Sequence, residues 1–184
     1  MAIRVFNHPV DMRHLLPLTS LLALLAAPKL EAQLIYISHP AVRTAYNVWV
    51  PGCVDGSGYL NASFPGVATF DGANPTINSF SGGPIEGLDA FTALRRFNVY
   101  GDATNGDITL QSVPPQVETL WVLTGGSITW PAIPSTLRDL FTSGSSTELP
   151  PLPAGLLALR VYDMDNLDAL PPLPPGLTDL SFGG

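Results

Sequence analysis

The chain has 184 residues, one domain's length, with eight Lys plus Arg against fifteen Asp plus Glu and a net charge of −7. That sign repels nucleic acid phosphates and anionic membrane surfaces, so neither is expected as a partner. Only 12% of residues are charged while 19 are proline and 17 glycine, the composition of a chain built from many tight turns.

At the front, Leu15 to Ala27 (LLPLTSLLALLAA) form an apolar run preceded by Arg13 and His14 and followed by the small-residue exit Leu30-Glu31-Ala32. The run is shorter than the roughly 20 apolar residues a spanning helix needs. It reads as a signal peptide over residues 1–32, removed on export, with Met12 as a second candidate start. The expected location is secreted or at the cell surface, with no membrane insertion after cleavage. The remaining chain would carry five Arg, thirteen acidic residues and no Lys.

Residues 33–84 read as a non-repetitive cap region, punctuated at Pro51-Gly52, Asp55-Gly56-Ser57-Gly58, Pro65-Gly66, Asp71-Gly72 and Gly82-Gly83-Pro84. Within it, His39 to Val50 places Val42, Ala45, Tyr46 and Trp49 at i, i+3, i+4 and i+7, which predicts a short amphipathic helix closing one end of the molecule. Cys53 is the single cysteine, so no disulfide forms within the chain; a buried thiol is expected, with pairing to another chain as the alternative.

Residues 85–184 are periodic. IEGLDAFTALRRFNVYG has the spacing of a longer unit, and four shorter ones follow: VPPQVETLWV, IPSTLRDLFT, LPAGLLALRV and LPPGLTDLSF. Leu120, Leu140, Leu159 and Leu180 recur at 19 to 21 residues, and Val117, Leu137, Leu156 and Leu177 keep step. Such a period marks a solenoid, whose units cannot bury an apolar side alone and so stack on one another. The runs LWV, LFT, LRV and LSF alternate like strands, which predicts a parallel sheet with Leu120 and Val122, Leu140 and Thr142, Leu159 and Val161, and Leu180 and Phe182 facing the core. The return path holds Trp130-Pro131, Ile133-Pro134, Leu149-Pro150, Leu152-Pro153, Leu170-Pro171 and Leu173-Pro174. Proline removes a donor and extends its predecessor, so that side is expected to be extended or polyproline-like.

LPPLPAGLLALRV (residues 149–161) and LPPLPPGLTDLSF (170–182) resemble the leucine-rich repeat in its short bacterial form with the L-P-x-L-P signature. The earlier units share its leucines and one proline each, so the resemblance covers residues 85–184. The lead-in, with PGCVDGSGYL and GLDAFTALRRFNV, is similar to the cap region of secreted repeat proteins of the Bacteroidetes bacteria. The resemblance implies a leucine-rich repeat solenoid with its parallel sheet on a concave face, and it implies further repeats and a C-terminal sorting domain beyond an open end at Phe182-Gly183-Gly184. The pattern departs from the family where asparagine usually bonds adjacent turns: Gly125, Ser145 and Met164 stand there, with Asn166 displaced. Ser145 can substitute through its hydroxyl.

If the leucines face inward, Asn98, Trp121, Phe141, Arg160 and Ser181 form an outward column, flanked by Tyr100, Leu123, Ser143 and Tyr162 and by Arg96, Thr119, Asp139, Ala158 and Asp179. Trp, Tyr and Arg dominate binding hot spots, which makes Asn98, Tyr100, Trp121, Leu123, Phe141, Arg160 and Tyr162 the candidate partner-binding residues. Packing along the sheet is the competing reading. Asp163, Asp165 and Asp168 do not complete a calcium loop. With one histidine, one cysteine and no lysine after export, catalysis lacks its usual bases and nucleophiles, and no cofactor or metal is expected. The expected function is a protein-binding module. The alternatives are a glycan-binding module, with Asn98 and Asp139 as hydrogen-bonding groups, and the recognition or spacer part of a larger surface enzyme.

Overall fold

The computed structural model describes residues 33–102 and 106–183. The predicted signal peptide lies outside the described residues. The described part is a parallel β-solenoid. Six strands form its main sheet: β3 (Thr76–Phe80), β5 (Arg96–Gly101), β7 (Thr119–Leu123), β9 (Asp139–Ser143), β10 (Ala158–Tyr162) and β11 (Asp179–Gly183), in the order β11-β10-β9-β7-β5-β3. All five pairings are parallel.

The register matches the leucine period. Phe97 pairs with Leu120, Leu120 with Leu140, Leu140 with Leu159 and Leu159 with Leu180. Alternation then sends Leu120, Val122, Leu140, Thr142, Leu159 and Val161 into the core, each at most 3% exposed. The last strand differs: Leu180 and Phe182 hold the same register but are 43% and 50% exposed, because no further coil covers them among the described residues. The sheet also begins upstream of residue 85, since β3 lies within the span read as a cap region and pairs with β5 through Thr76–Asn98 and Ile77–Val99. Ser79, in a left-handed conformation, shifts that register and re-aims Phe80 into the core.

The return path is extended, and part of it also pairs into strands. β4 (Gly83–Ile85), β6 (Ile108–Leu110) and β8 (Ile128–Thr129) form a second parallel sheet in the order β4-β6-β8. Ile85, Ile108, Leu110 and Ile128 turn from it into the same core as Phe97, Val99, Leu120 and Val122. Ile108 and Ile128 sit in stretches whose donors are free, with Pro114 and Pro131 coming only later. In the next coil Thr147 and Glu148 occupy the equivalent segment and no strand forms there. Close backbone approach on this path requires glycine. A Cβ on Gly82 (φ +100°) would stand 2.6 Å from Gly106 Cα, too near for any side chain.

Hydroxyls and a carboxylate fasten the turns between neighbouring coils. Ser146, rather than Ser145, accepts from the Ile128 N–H at 2.6 Å and so caps the edge of β8. Thr124 donates to the Gly106 carbonyl at 2.9 Å and accepts from Gly126 N–H at 3.1 Å. Asp107 accepts from Ser127 N–H at 2.8 Å, and that bond holds its carboxyl below the usual range.

Upstream, β1 (Leu34–Tyr36) and β2 (Tyr59–Asn61) pair antiparallel, and α1 spans Pro40–Trp49. Pro40 opens α1 with its preset φ, and His39 Nδ1 accepts from Ala41 N–H at 3.1 Å as N-cap. Val42, Ala45 and Tyr46 are buried, as the spacing predicts, and Trp49 lies against Phe70, Phe91 and Phe97 at 5.5 to 6.0 Å between ring centres. The Tyr46 hydroxyl donates to the Glu86 carbonyl at 2.6 Å, and Ser38 donates to the Glu86 carboxylate at 2.6 Å. The helix is therefore tied to the segment that opens the second sheet. Among the described residues no helix is long and apolar enough to cross a membrane.

Candidate interaction face

Each coil contributes one strand to the main sheet, so one outward residue per strand falls into line. Asn98, Trp121, Phe141, Arg160 and Ser181 are register partners in that order. Tyr100, Leu123, Ser143 and Tyr162 form the next column, with Arg96, Thr119, Asp139, Ala158 and Asp179 on the other side. The geometry brings Trp121, Phe141 and Tyr162 together as a ladder. Trp121 and Phe141 meet edge to face at 5.6 Å, and Phe141 and Tyr162 at 5.5 Å. Both spacings suit the quadrupole preference of aromatic pairs. All three are half-buried, as are Tyr100 and Leu123. The Trp121 indole N–H is buried with no protein partner.

Asn98 departs from expectation. It holds its place in the column but is only 3% exposed, because its amide donates to Asn74 Oδ1 at 2.6 Å and Thr76 Oγ1 lies at 3.4 Å. Both partners belong to the coil upstream of residue 85, which the leucine period did not reveal. Asn98 is a coil-to-coil fastener.

Arg160 is held on the face by two carboxylates. Its guanidinium donates to Asp139 at 2.9 Å and Asp179 at 2.6 Å, one from the strand on each side. The Asp179 bond, then the Asp139 bond, raise its already high pKa further. The flank row places these acids one step from Arg160 in sequence pattern, yet the bridge needs neighbouring strands in exact register, so only the fold reveals it. Arg95 makes a similar surface pair with Glu118 at 2.8 Å.

His39 and Cys53, the histidine and the cysteine of the described residues, are both engaged in the fold. The Nδ1 of His39 is spent on the cap, so Nε2 carries the proton and faces Ser81 Oγ at 3.2 Å, the reverse of a base activating a hydroxyl. Burial lowers the pKa of His39. Cys53 is 1% exposed and burial pushes its thiol up to about 11, far from a reactive thiolate. Asp55 makes a turn, accepting from Ser57 and Tyr59 N–H at 2.9 Å each. Among the described residues no three His, Cys, Asp or Glu side chains cluster to hold a metal. An open groove of about 420 Å³ between two return segments is lined by Trp130, Pro131, Glu148 and Pro150, without a histidine or cysteine.

No protein-family model, curated protein or solved structure matches the chain.

Proposed function

We propose that this chain is an exported, non-catalytic interaction module that holds a protein partner on the outer face of its six-stranded sheet. The observation that carries the reading is the edge-to-face run Trp121–Phe141–Tyr162, which crosses from one column to the next, half-buried beside a fixed guanidinium. Aromatic rings and arginine are the side chains that dominate binding hot spots. A rigid ladder also loses little conformational freedom on binding. Tyr100, Leu123 and Ser143 would form the rim, and Asn98 would act only by fastening the sheet beneath. The finer identity belongs here too: the L-P-x-L-P units and the aligned leucines support a leucine-rich repeat of the short bacterial type, with α1 capping its first coil. Export and surface display rest on the apolar run before residue 33.

The glycan reading draws less support, since Asn98 and Asp139, its hydrogen-bonding arms, are already engaged by Asn74 and Arg160. A role as the recognition part of a larger surface enzyme uses the same face and makes the same prediction for it. The test is a bait experiment on an extracellular protein fraction and a glycan array, run with wild type and Trp121→Ala. The reading expects a protein captured by wild type and lost by the variant while the melting temperature holds. Equal capture by both proteins removes the face from the function, and binding confined to the array transfers it to glycans.

A further inference from the structure

We propose that the protein partner of the interaction reading above, on which this rests, is cationic where it meets the outer sheet face, and sets a lysine or arginine side chain against the rings of Phe141 and Tyr162. The two rings come from neighbouring strands, meet edge to face at 5.5 Å and are half-buried. Trp121 extends the run, but its indole N–H is buried and so gives a ligand no donor. Apart from the Tyr162 hydroxyl, these side chains show only ring surface. The negative face of an aromatic ring attracts a cation, and more strongly as water is excluded.

The charges around the rings favour the same occupant. On one flank Arg160 is shared by Asp139 and Asp179, a single guanidinium between two carboxylates, so a negative charge is left in surplus. On the other flank exposed Asp163 follows Tyr162 and accepts from Ser143 Oγ at 3.1 Å, which draws its carboxylate toward β9, the strand of Phe141. Arg43, Arg95 and Arg138 are spent elsewhere, on the Ile37 carbonyl, Glu118 and the Gly155 carbonyl. Arg96 lies on β5, two strands away from Phe141. Residues 33–184 hold five Arg, no Lys and thirteen acidic residues. A field of that sign draws a basic partner in and turns an acidic one away. An apolar or anionic partner would cover the surplus carboxylates without compensating them, which costs binding energy.

The experiment titrates the full chain with decalysine and with decaglutamate in a calorimeter at low ionic strength, where charge is least screened. Tyr162→Leu keeps apolar bulk while removing the ring, and Asp163→Asn keeps the shape while removing the charge. Asp89→Asn removes the same charge from an exposed site outside both sheets. The expected result is binding of decalysine alone, weakened about three- to tenfold by Tyr162→Leu and by Asp163→Asn, as for a cation lost from an aromatic face. Asp89→Asn should bind as the wild type does, and circular dichroism should be the same for all four proteins. No binding of decalysine overturns the proposal, as does equal binding of both peptides. An affinity indifferent to Tyr162→Leu also overturns it, and so does an equal loss at Asp89→Asn and Asp163→Asn, which would reduce the attraction to net charge. The interaction reading is judged separately, by protein capture with Trp121→Ala. An acidic protein captured by wild type and lost by that variant would uphold the face and sink the cationic partner.

Discussion

Leu140 and Trp121 are separated by a single register step, yet their substitution should have opposite consequences. Leu140 is fully buried between Leu120 and Leu159, so Leu140→Ala removes apolar surface and leaves a cavity costing about 2 to 5 kcal/mol. Trp121 is half-buried on the outer face, outside the core, and Trp121→Ala should leave the denaturant midpoint much closer to that of the wild type than Leu140→Ala does while abolishing partner capture. Equal destabilisation of both variants would make the ladder a packing device. Thr142 offers a third residue-level test. It shares the inward column but its hydroxyl is buried with no partner, a group whose desolvation is uncompensated. Thr142→Val should raise stability by about 1 kcal/mol, read as a higher urea midpoint at constant slope. Which side of each strand faces inward was legible in the sequence, because a period of two inside a period of about twenty leaves one assignment. The burial of Asn98 was not, since its partners Asn74 and Thr76 lie in a coil that carries Ile77 and Phe80 instead of the leucine pattern.

At the scale of elements, side-chain caps complete what the backbone leaves open. Ser146 caps β8 where the next coil forms no fourth strand, so Ser146→Ala leaves the Ile128 N–H buried and unpaired, a cost of about 1 to 3 kcal/mol seen in thermal melts. The hydroxyl lies one position beyond Ser145, a difference set by turn geometry rather than by spacing. The small sheet was likewise hidden, since the prolines of the return path argue against a helix without specifying pairing, and β6 and β8 form in the proline-free pieces around Ile108 and Ile128. Helix α1, by contrast, followed its spacing closely. Its cap makes it sensitive to acid. The folded-state pKa of His39 lies below 6.5, chiefly from burial, with Glu86 opposing that shift as the nearby charge. Above 6.5 neither the folded nor the unfolded state binds the proton, and the full stability is present. As pH falls through 6.5 the unfolded chain is protonated first, so stability declines until the folded-state value is passed. Protonation also removes the Nδ1 acceptor and places positive charge at a helix N-terminus. His39→Asn keeps a capping acceptor without titrating, and should flatten this part of the pH profile of unfolding. An identical slope in both proteins would place the acid sensitivity elsewhere.

For the molecule as a whole, each coil touches only its neighbours, so stability is a sum of local terms and need not be uniform. The coils carrying β5, β7 and β9 have a neighbour on both sides and inner residues that are fully buried. Among the described residues the coil of β11 has one neighbour, and its Leu180, Phe182 and Leu173 are exposed. Opening should therefore begin at β11 and move toward β9, which native-state hydrogen exchange can follow strand by strand. Amides of Val122 and Leu140 should exchange at the rate of global unfolding, and those of Ser181 and Gly183 much faster. Uniform exchange across all six strands would instead make the solenoid a single cooperative block, against the nearest-neighbour character of its packing.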